Sequence, residues 1–380
     1  MNNLHISLTE FYNESRVLKE AELHTKGENS STAFIAALHS DGLEEFQIYS
    51  DKIEVQRFKL KTRAFSKSLI MQIIKYLEFC IRVFCYYKKK NIKIINVHSL
   101  GLLPLGIFLK YTYKAVLVYD AHELETERNG LTGVRKKLSK ILERKLIKYV
   151  DMTLVVSESI ADWYTNEYKI PRPLVVLNAP YRQELKTNNH FREQLKIRED
   201  QIILLYQGAL VTGRGIHLLL DAFKQRSDDT VVVVFMGYGE LAVEIKQIAC
   251  HYANIFLFPA VQPSVVLEYT SSADVGISFI ENTCLSYYYC MPNKLFEYAM
   301  AGLPILVSNM KDMSELVTRN NMGAAISDSS PEGINYAIDH FLKKDLNEMK
   351  TNAYRIACEN AWEKQEEKML LAYQNLSSSI

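Results

Sequence analysis

Two doubly wound α/β domains in tandem are the fold class this sequence predicts, on three observations. Short β-branched runs alternate with longer amphipathic runs over most of the 380 residues. The strand-like runs are apolar almost throughout, which requires cover on both faces of a parallel sheet. The series pauses once, over residues 178–200, where Asn178, Pro180, Asn188 and Asn189 make a polar stretch. A chain of this length holds two or three ordinary domains. The expected division is 1–185, 186–355 and a C-terminal helical segment, 356–380.

The elements follow in order. Strand-like runs are KIINV (Lys93–Val97), AVLVY (Ala115–Tyr119), MTLVV (Met152–Val156) and PLVVL (Pro173–Leu177). After the polar stretch come IILLY (Ile202–Tyr206), TVVVVFM (Thr230–Met236), DVGISF (Asp274–Phe279) and PILV (Pro304–Val307). Helix-length segments between them include Arg135–Tyr149, Ile216–Lys224 and Asn293–Ala301. Asn352–Leu376 reads as one long amphipathic helix, with Trp362 as a packing anchor.

Composition excludes several classes. Hydrophobic residues at 48% and charged residues at 23% describe a globular chain, not a disordered or collagen-like one. The net charge of +1 implies no nucleic-acid partner. The charge is unevenly spread: residues 1–180 carry 27 basic and 20 acidic side chains, and Arg57–Lys93 alone holds eleven Lys/Arg against Glu78. Six cysteines form no C-x-x-C pair, so reduced thiols in a cytoplasmic protein are the simplest reading. Lys75, Glu78 and Arg82 interrupt the most apolar long stretch, Leu69–Tyr87, so it does not read as a bilayer span.

In such sheets ligands sit beyond the carboxyl ends of the strands. After IILLY comes a loop with Gly208, Gly213, Arg214 and Gly215, opening a helix near Ile216. Glycines admit a phosphate close to the backbone, a helix start offers free N–H groups, and Arg adds a forked cation. Taken alone, such a loop is more often a strand-to-helix turn with a solvated Arg. The next strand ends in Gly237-Tyr238-Gly239-Glu240, again a tight turn. Pro292 suits a first helical turn, placing Asn293, Lys294 and Glu297 on one side of that helix. Lys294 there attracts diphosphate, and a carboxylate one turn on can accept from vicinal hydroxyls. An i,i+3 surface pair explains the same spacing equally well. His122 and His98 each follow a strand end, where an imidazole can meet a sugar or serve structure. His98 is the weaker candidate, because Ser99 and Leu100 supply no partner.

The ordered series G-x-L-x-x-x-R-G with LLLDAF, then MGYGE, then PNKLFEYAMAGLPI resembles the retaining family 4 glycosyltransferases of GT-B architecture. RVLKEAELHTKG, NVHSLGLLPLG, VYDAHELETE, LVVSESIA and VLNAP extend the resemblance over the first half. It implies two Rossmann-like domains facing a central cleft, an acceptor domain first and a nucleotide-sugar domain second. The last helix would cross back to the first domain. It also implies a retaining transferase moving a sugar, hexosyl or N-acetylhexosaminyl, from a nucleoside-diphosphate donor to a glycan or lipid-linked acceptor in cell-surface polysaccharide synthesis. A UDP-sugar would be the donor. His122 falls on the residue reaching the transferred sugar, Arg214 on the diphosphate cation and Glu297 on the ribose-binding glutamate. Gly208, Gly215, Gly237, Asn293, Lys294 and Leu295 complete the expected donor set.

Ala209 and Tyr289 depart from the family pattern, which often has Arg and Glu there. They leave open a non-catalytic partner subunit or a nucleotide-sugar epimerase. No D-x-D triplet occurs, so no cofactor and no metal is expected. The basic excess of the first half suggests peripheral contact with anionic lipid at the inner membrane surface.

Overall fold

The computed structural model describes residues 2–12, 14–26, 31–66 and 68–377. It divides into two compact units, one of residues 1–176 with 366–380 and one of residues 177–365.

The first unit carries an eight-stranded sheet. Its strands are β1 (Asn2–Ile6), β2 (Ala33–Leu38), β3 (Phe46–Ser50), β4 (Ile53–Phe58), β5 (Ile92–Val97), β6 (Val116–Ala121), β7 (Met152–Val155) and β8 (Leu174–Val175). The order is β3-β4-β2-β1-β5-β6-β7-β8, parallel except for the β3–β4 edge hairpin. The order reverses direction between β1 and β5, the switch point where a crevice opens in doubly wound sheets.

The second unit holds six parallel strands: β9 (Ile202–Ala209), β10 (Val231–Tyr238), β11 (Ile255–Pro259), β12 (Val275–Ser278), β13 (Ile305–Ser308) and β14 (Gly323–Ile326). Their order is β11-β10-β9-β12-β13-β14, with the switch between β9 and β12. Alternate residues of the continuous apolar runs face opposite layers. Val232, Val234, Ile305 and Val307 pack with Leu295, Tyr298 and Ala299 from one helix. Val231, Val233, Phe235 and Leu306 pack with Ile216, Leu219 and Phe223 on the other face. Each buried side chain of this size contributes about 1.5–3 kcal/mol, so both layers are needed to hold the sheet.

Three expectations are corrected. The units part at 176/177, not at 185/186, because the residues just before 186 bind within the second unit: the Tyr354 hydroxyl donates to Gln183 O at 2.9 Å. The first unit regains the chain at Glu366, ten residues beyond the expected 356. Asn352–Leu376 is two helices, Leu346–Glu359 and Trp362–Ser377. Asn360 Nδ2 turns back onto Ile356 O at 2.9 Å, and the Trp362 N–H is taken by Pro180 O at 2.9 Å, so the first helix cannot continue. Trp362 itself is fully buried.

Candidate functional site

The second unit gathers most of the expected donor residues at the β9/β12 switch point. Gly215 (φ +75) precedes the helix Ile216–Gln225, and a Cβ there would stand 2.1 Å from Phe279 O, at the end of β12. Only glycine lets this loop close against β12. Gly237 has a different reason. Its Cβ would stand 1.9 Å from Gly208 O, so it permits the β9–β10 approach and presents no side chain to a ligand.

Across from this loop starts the helix Asn293–Met300, with Pro292 as the residue just before its first turn. Asn293 is exposed there. Lys294 lies with Nζ 3.6 Å from the centroid of the Tyr206 ring and 3.8 Å from the point a Gly208 Cβ would occupy. The Lys294 ammonium is pushed down to about 7, first by burial and then by the positive charge of Arg214. Arg214 itself stacks with Cζ 4.6 Å from the Tyr287 ring centroid. Two cations are thus held beside aromatic faces near a glycine loop and two helix starts, an arrangement suited to a diphosphate.

Glu297 accepts a hydrogen bond from Gln207 Nε2. Gln207 is fixed in turn, since Thr270 Oγ1 donates to its Oε1 at 2.7 Å. Gln207, two residues from the end of β9, escaped the sequence reading because a glutamine in a strand carries no motif signal. Leu295 does not join the site. Its side chain is core and its N–H bonds Pro292 O at 3.1 Å. Tyr289 lies under Lys311, whose Nζ is 5.5 Å from its ring centroid.

In the first unit, the β1/β5 switch point gathers a buried polar cluster around Asp120. The Arg16 guanidinium grips Asp120, Nη2 to Oδ1 at 2.7 Å and Nε to Oδ2 at 3.0 Å. His98 Nδ1 lies 3.0 Å and His122 Nε2 2.5 Å from that same Oδ2. Arg16, with the neighbouring imidazoles, holds the Asp120 carboxylate well below its usual range against the cost of burial. Glu20, buried 3.0 Å from Arg16 Nε, is pushed the other way by burial and by Asp120. His98 also contacts His5, Nε2 to Nδ1 at 3.0 Å. The sequence reading underrated His98 because its partners come from β1 and β6, not from its own loop. The ligand atoms of His98, Asp120 and His122 lie within 4.8 Å of one another, close enough for a metal.

Comparisons with known proteins agree with this architecture. Residues 34–180 match the family described as Glycosyltransferase Family 4, and residues 187–357 match Glycosyl transferases group 1. The lipopolysaccharide 1,2-N-acetylglucosaminetransferase of Salmonella typhimurium is 28% identical over 233 residues, 56% of this chain and 59% of that protein. Sucrose-phosphate synthase from Thermosynechococcus elongatus superposes with a TM-score of 0.82 at 14% identity, covering all of both chains. The HepE protein of Anabaena in complex with UDP-glucose gives 0.73 at 12% identity, covering 99% of this chain and all of the other. With both halves matched by glycosyltransferase families and the whole chain by this fold, the protein belongs to the family 4 type of GT-B glycosyltransferases.

Proposed function

We propose that the protein transfers a sugar, with retention of configuration, from a UDP-sugar to a glycan or lipid-linked acceptor in cell-surface polysaccharide synthesis. The observation that carries this reading is the pairing of Arg214 and Lys294 with the Gln207-held Glu297 at one switch point. The two cations meet the diphosphate and stabilise it as it leaves, while Glu297 accepts from the ribose hydroxyls. The leaving phosphate takes the proton of the acceptor hydroxyl, so no separate protein base is required. His122 is assigned to the transferred sugar. The UDP-glucose complex of the Anabaena relative and the N-acetylglucosaminetransferase relative support a hexosyl or N-acetylhexosaminyl donor.

A membrane-bound acceptor is supported by the surface of the first unit. The helix Leu69–Tyr87 exposes Leu69, Ile70, Ile73, Leu77 and Ile81, and the helix Gly133–Leu146 exposes Val134, Leu138 and Ile141 among basic residues. No helix among the described residues is long and apolar enough to cross a membrane. A basic surface bearing isolated large apolar side chains suits the plane of an anionic leaflet. Lys67, one of the basic residues counted for this contact, lies outside the described residues.

The test is a donor panel. Turnover or hydrolysis of one UDP-sugar is expected, with Arg214→Ala and Glu297→Ala each weakening its binding roughly ten- to a hundred-fold. His122→Ala should lower kcat far more than donor affinity, the mark of a contact strengthened in the transition state. Unchanged donor affinity in both second-unit variants would remove the site assignment. Binding without turnover of any donor would favour a non-catalytic subunit.

A further inference from the structure

The buried cluster around Asp120 continues inward as a single file of hydrogen bonds. His98 Nε2 meets His5 Nδ1 at 3.0 Å, and His5 Nε2 meets Asn3 Nδ2 at 3.0 Å. Asn3 Oδ1 accepts from Asn96 Nδ2 at 2.7 Å, and Asn96 Oδ1 accepts from the Tyr373 hydroxyl at 2.8 Å. All of these residues except His122 are buried.

Asp120, ionised beside Arg16, can only accept, so its Oδ2 draws the N–H of His98 Nδ1 and of His122 Nε2, two nitrogens that also lie 3.1 Å from each other. Burial keeps His98 and His5 neutral, pushing both below the usual imidazole range. A neutral His98 with Nδ1–H offers a bare Nε2, so His5 must donate from Nδ1. His5 then offers a bare Nε2, which takes an N–H of Asn3. The amide orientations demanded by this chain are those found, and they end on Tyr373, whose buried hydroxyl keeps its proton. The two ends agree on this direction.

We propose that Asp120 and His98 are positioning residues for His122: they keep a proton on its Nε2 and leave Nδ1 as the nitrogen turned to a sugar hydroxyl, from which it accepts a hydrogen bond whenever the ring is neutral. His122 Nε2 is committed to Asp120, while Nδ1 bonds no described residue and the side chain is 35% exposed. A neutral His122 so held is an acceptor toward substrate, not a donor. Such orientation of one imidazole nitrogen by a bond to the other recurs wherever histidines act in catalysis. The inference rests on the assignment of His122 to the transferred sugar only for what the lone pair meets, not for the tautomer.

The experiment uses the full chain labelled with ¹⁵N-histidine and two-bond ¹H–¹⁵N correlation spectra, with His122→Gln assigning the His122 signals. Wild-type neutral His122 is expected to show a protonated Nε2 and a bare Nδ1. His98→Leu removes one of the two imidazole donors and should give mixed His122 tautomers, with kcat down about tenfold and donor affinity within about twofold. His98→Asn keeps an N–H at the Nδ1 position and should restore both. A protonated Nδ1 in wild-type neutral His122 would overturn the proposal, as would a His98→Leu spectrum and kcat equal to wild type. If no donor is turned over, the catalytic assignment of His122 fails alone, and the spectra still decide the tautomer.

Discussion

Raising the pH from 7 to 9 should weaken donor binding through Lys294. Burial and the nearby Arg214 charge bring this ammonium down to about 7, so roughly half the unliganded molecules carry it uncharged at neutral pH. At pH 8 the charged fraction falls to about one tenth. A bound diphosphate favours the charged form and lifts its pKa, so binding takes up about half a proton at pH 7 and nearly one at pH 8. Affinity is therefore full below pH 7 and declines toward about tenfold per pH unit above it, about 1.4 kcal/mol for each decade. The decline stops at the pKa of the liganded state. The diphosphate of a nucleotide sugar is ionised throughout this range and adds no titration of its own. Calorimetry of UDP-sugar binding in two buffers of different ionisation enthalpy counts the protons directly. Lys294→Arg keeps the charge at every pH and should bind without proton uptake. Arg214→Ala removes a like charge, so the decline should begin at higher pH, from a weaker starting affinity. Binding at pH 8 with no proton uptake in the wild type, or the same slope in Lys294→Arg, would refute this account.

Chelator should leave turnover essentially intact if, as proposed, Arg214 and Lys294 supply the positive charge a D-x-D metal clamp would provide; loss with EDTA and recovery with Mn²⁺ would count against it. Sedimentation with anionic vesicles should show binding at low salt that fades at high salt, each surface Lys or Arg contributing about 1 kcal/mol. Reversing Lys88 and Lys89 should weaken it more than reversing Lys90, which is already paired with Glu54 at 3.3 Å. Gly237→Ala should destabilise the second unit by about 1–3 kcal/mol in denaturant titration, since its methyl would collide with Gly208 O; an unchanged midpoint would show that β9 and β10 can part without cost.

The sequence yields the middle of each sheet and misses the edges and beginnings. Runs such as Val231–Met236 are read easily because both faces are buried, leaving no polar residue to blur them. β1 (Asn2–Ile6) was overlooked because Asn3 and His5 break the apolar pattern, and they do so to serve the buried file of hydrogen bonds. Ala33–Leu38 and Gly323–Ile326 are rich in alanine, which favours helices, and only their neighbouring strands hold them extended. On the site, charged residues with motif spacing, Arg214, Lys294 and Glu297, stand out from sequence. The residues that hold Glu297 and Asp120 do not: Gln207 and Thr270 for the first and Arg16 for the second act through contacts between distant segments, and Arg16 reaches Asp120 across 104 residues.

Where the chain re-enters the first unit bears on how the protein is made. The sheet of residues 1–176 is translated before the second unit, yet Tyr373, whose hydroxyl donates to Asn96 in its buried file of hydrogen bonds, follows the whole of that unit. Lys368 Nζ likewise reaches Val175 O at 2.8 Å only at that stage. The second unit closes at Gln365, so the first unit is completed only after the second. N-terminal domains usually fold while the rest of a chain is still being made. Here the first unit must wait, with the Tyr373 bond to Asn96 unmade, until the second unit has been translated, and a premature stop before residue 366 would cripple the unit encoded furthest from it.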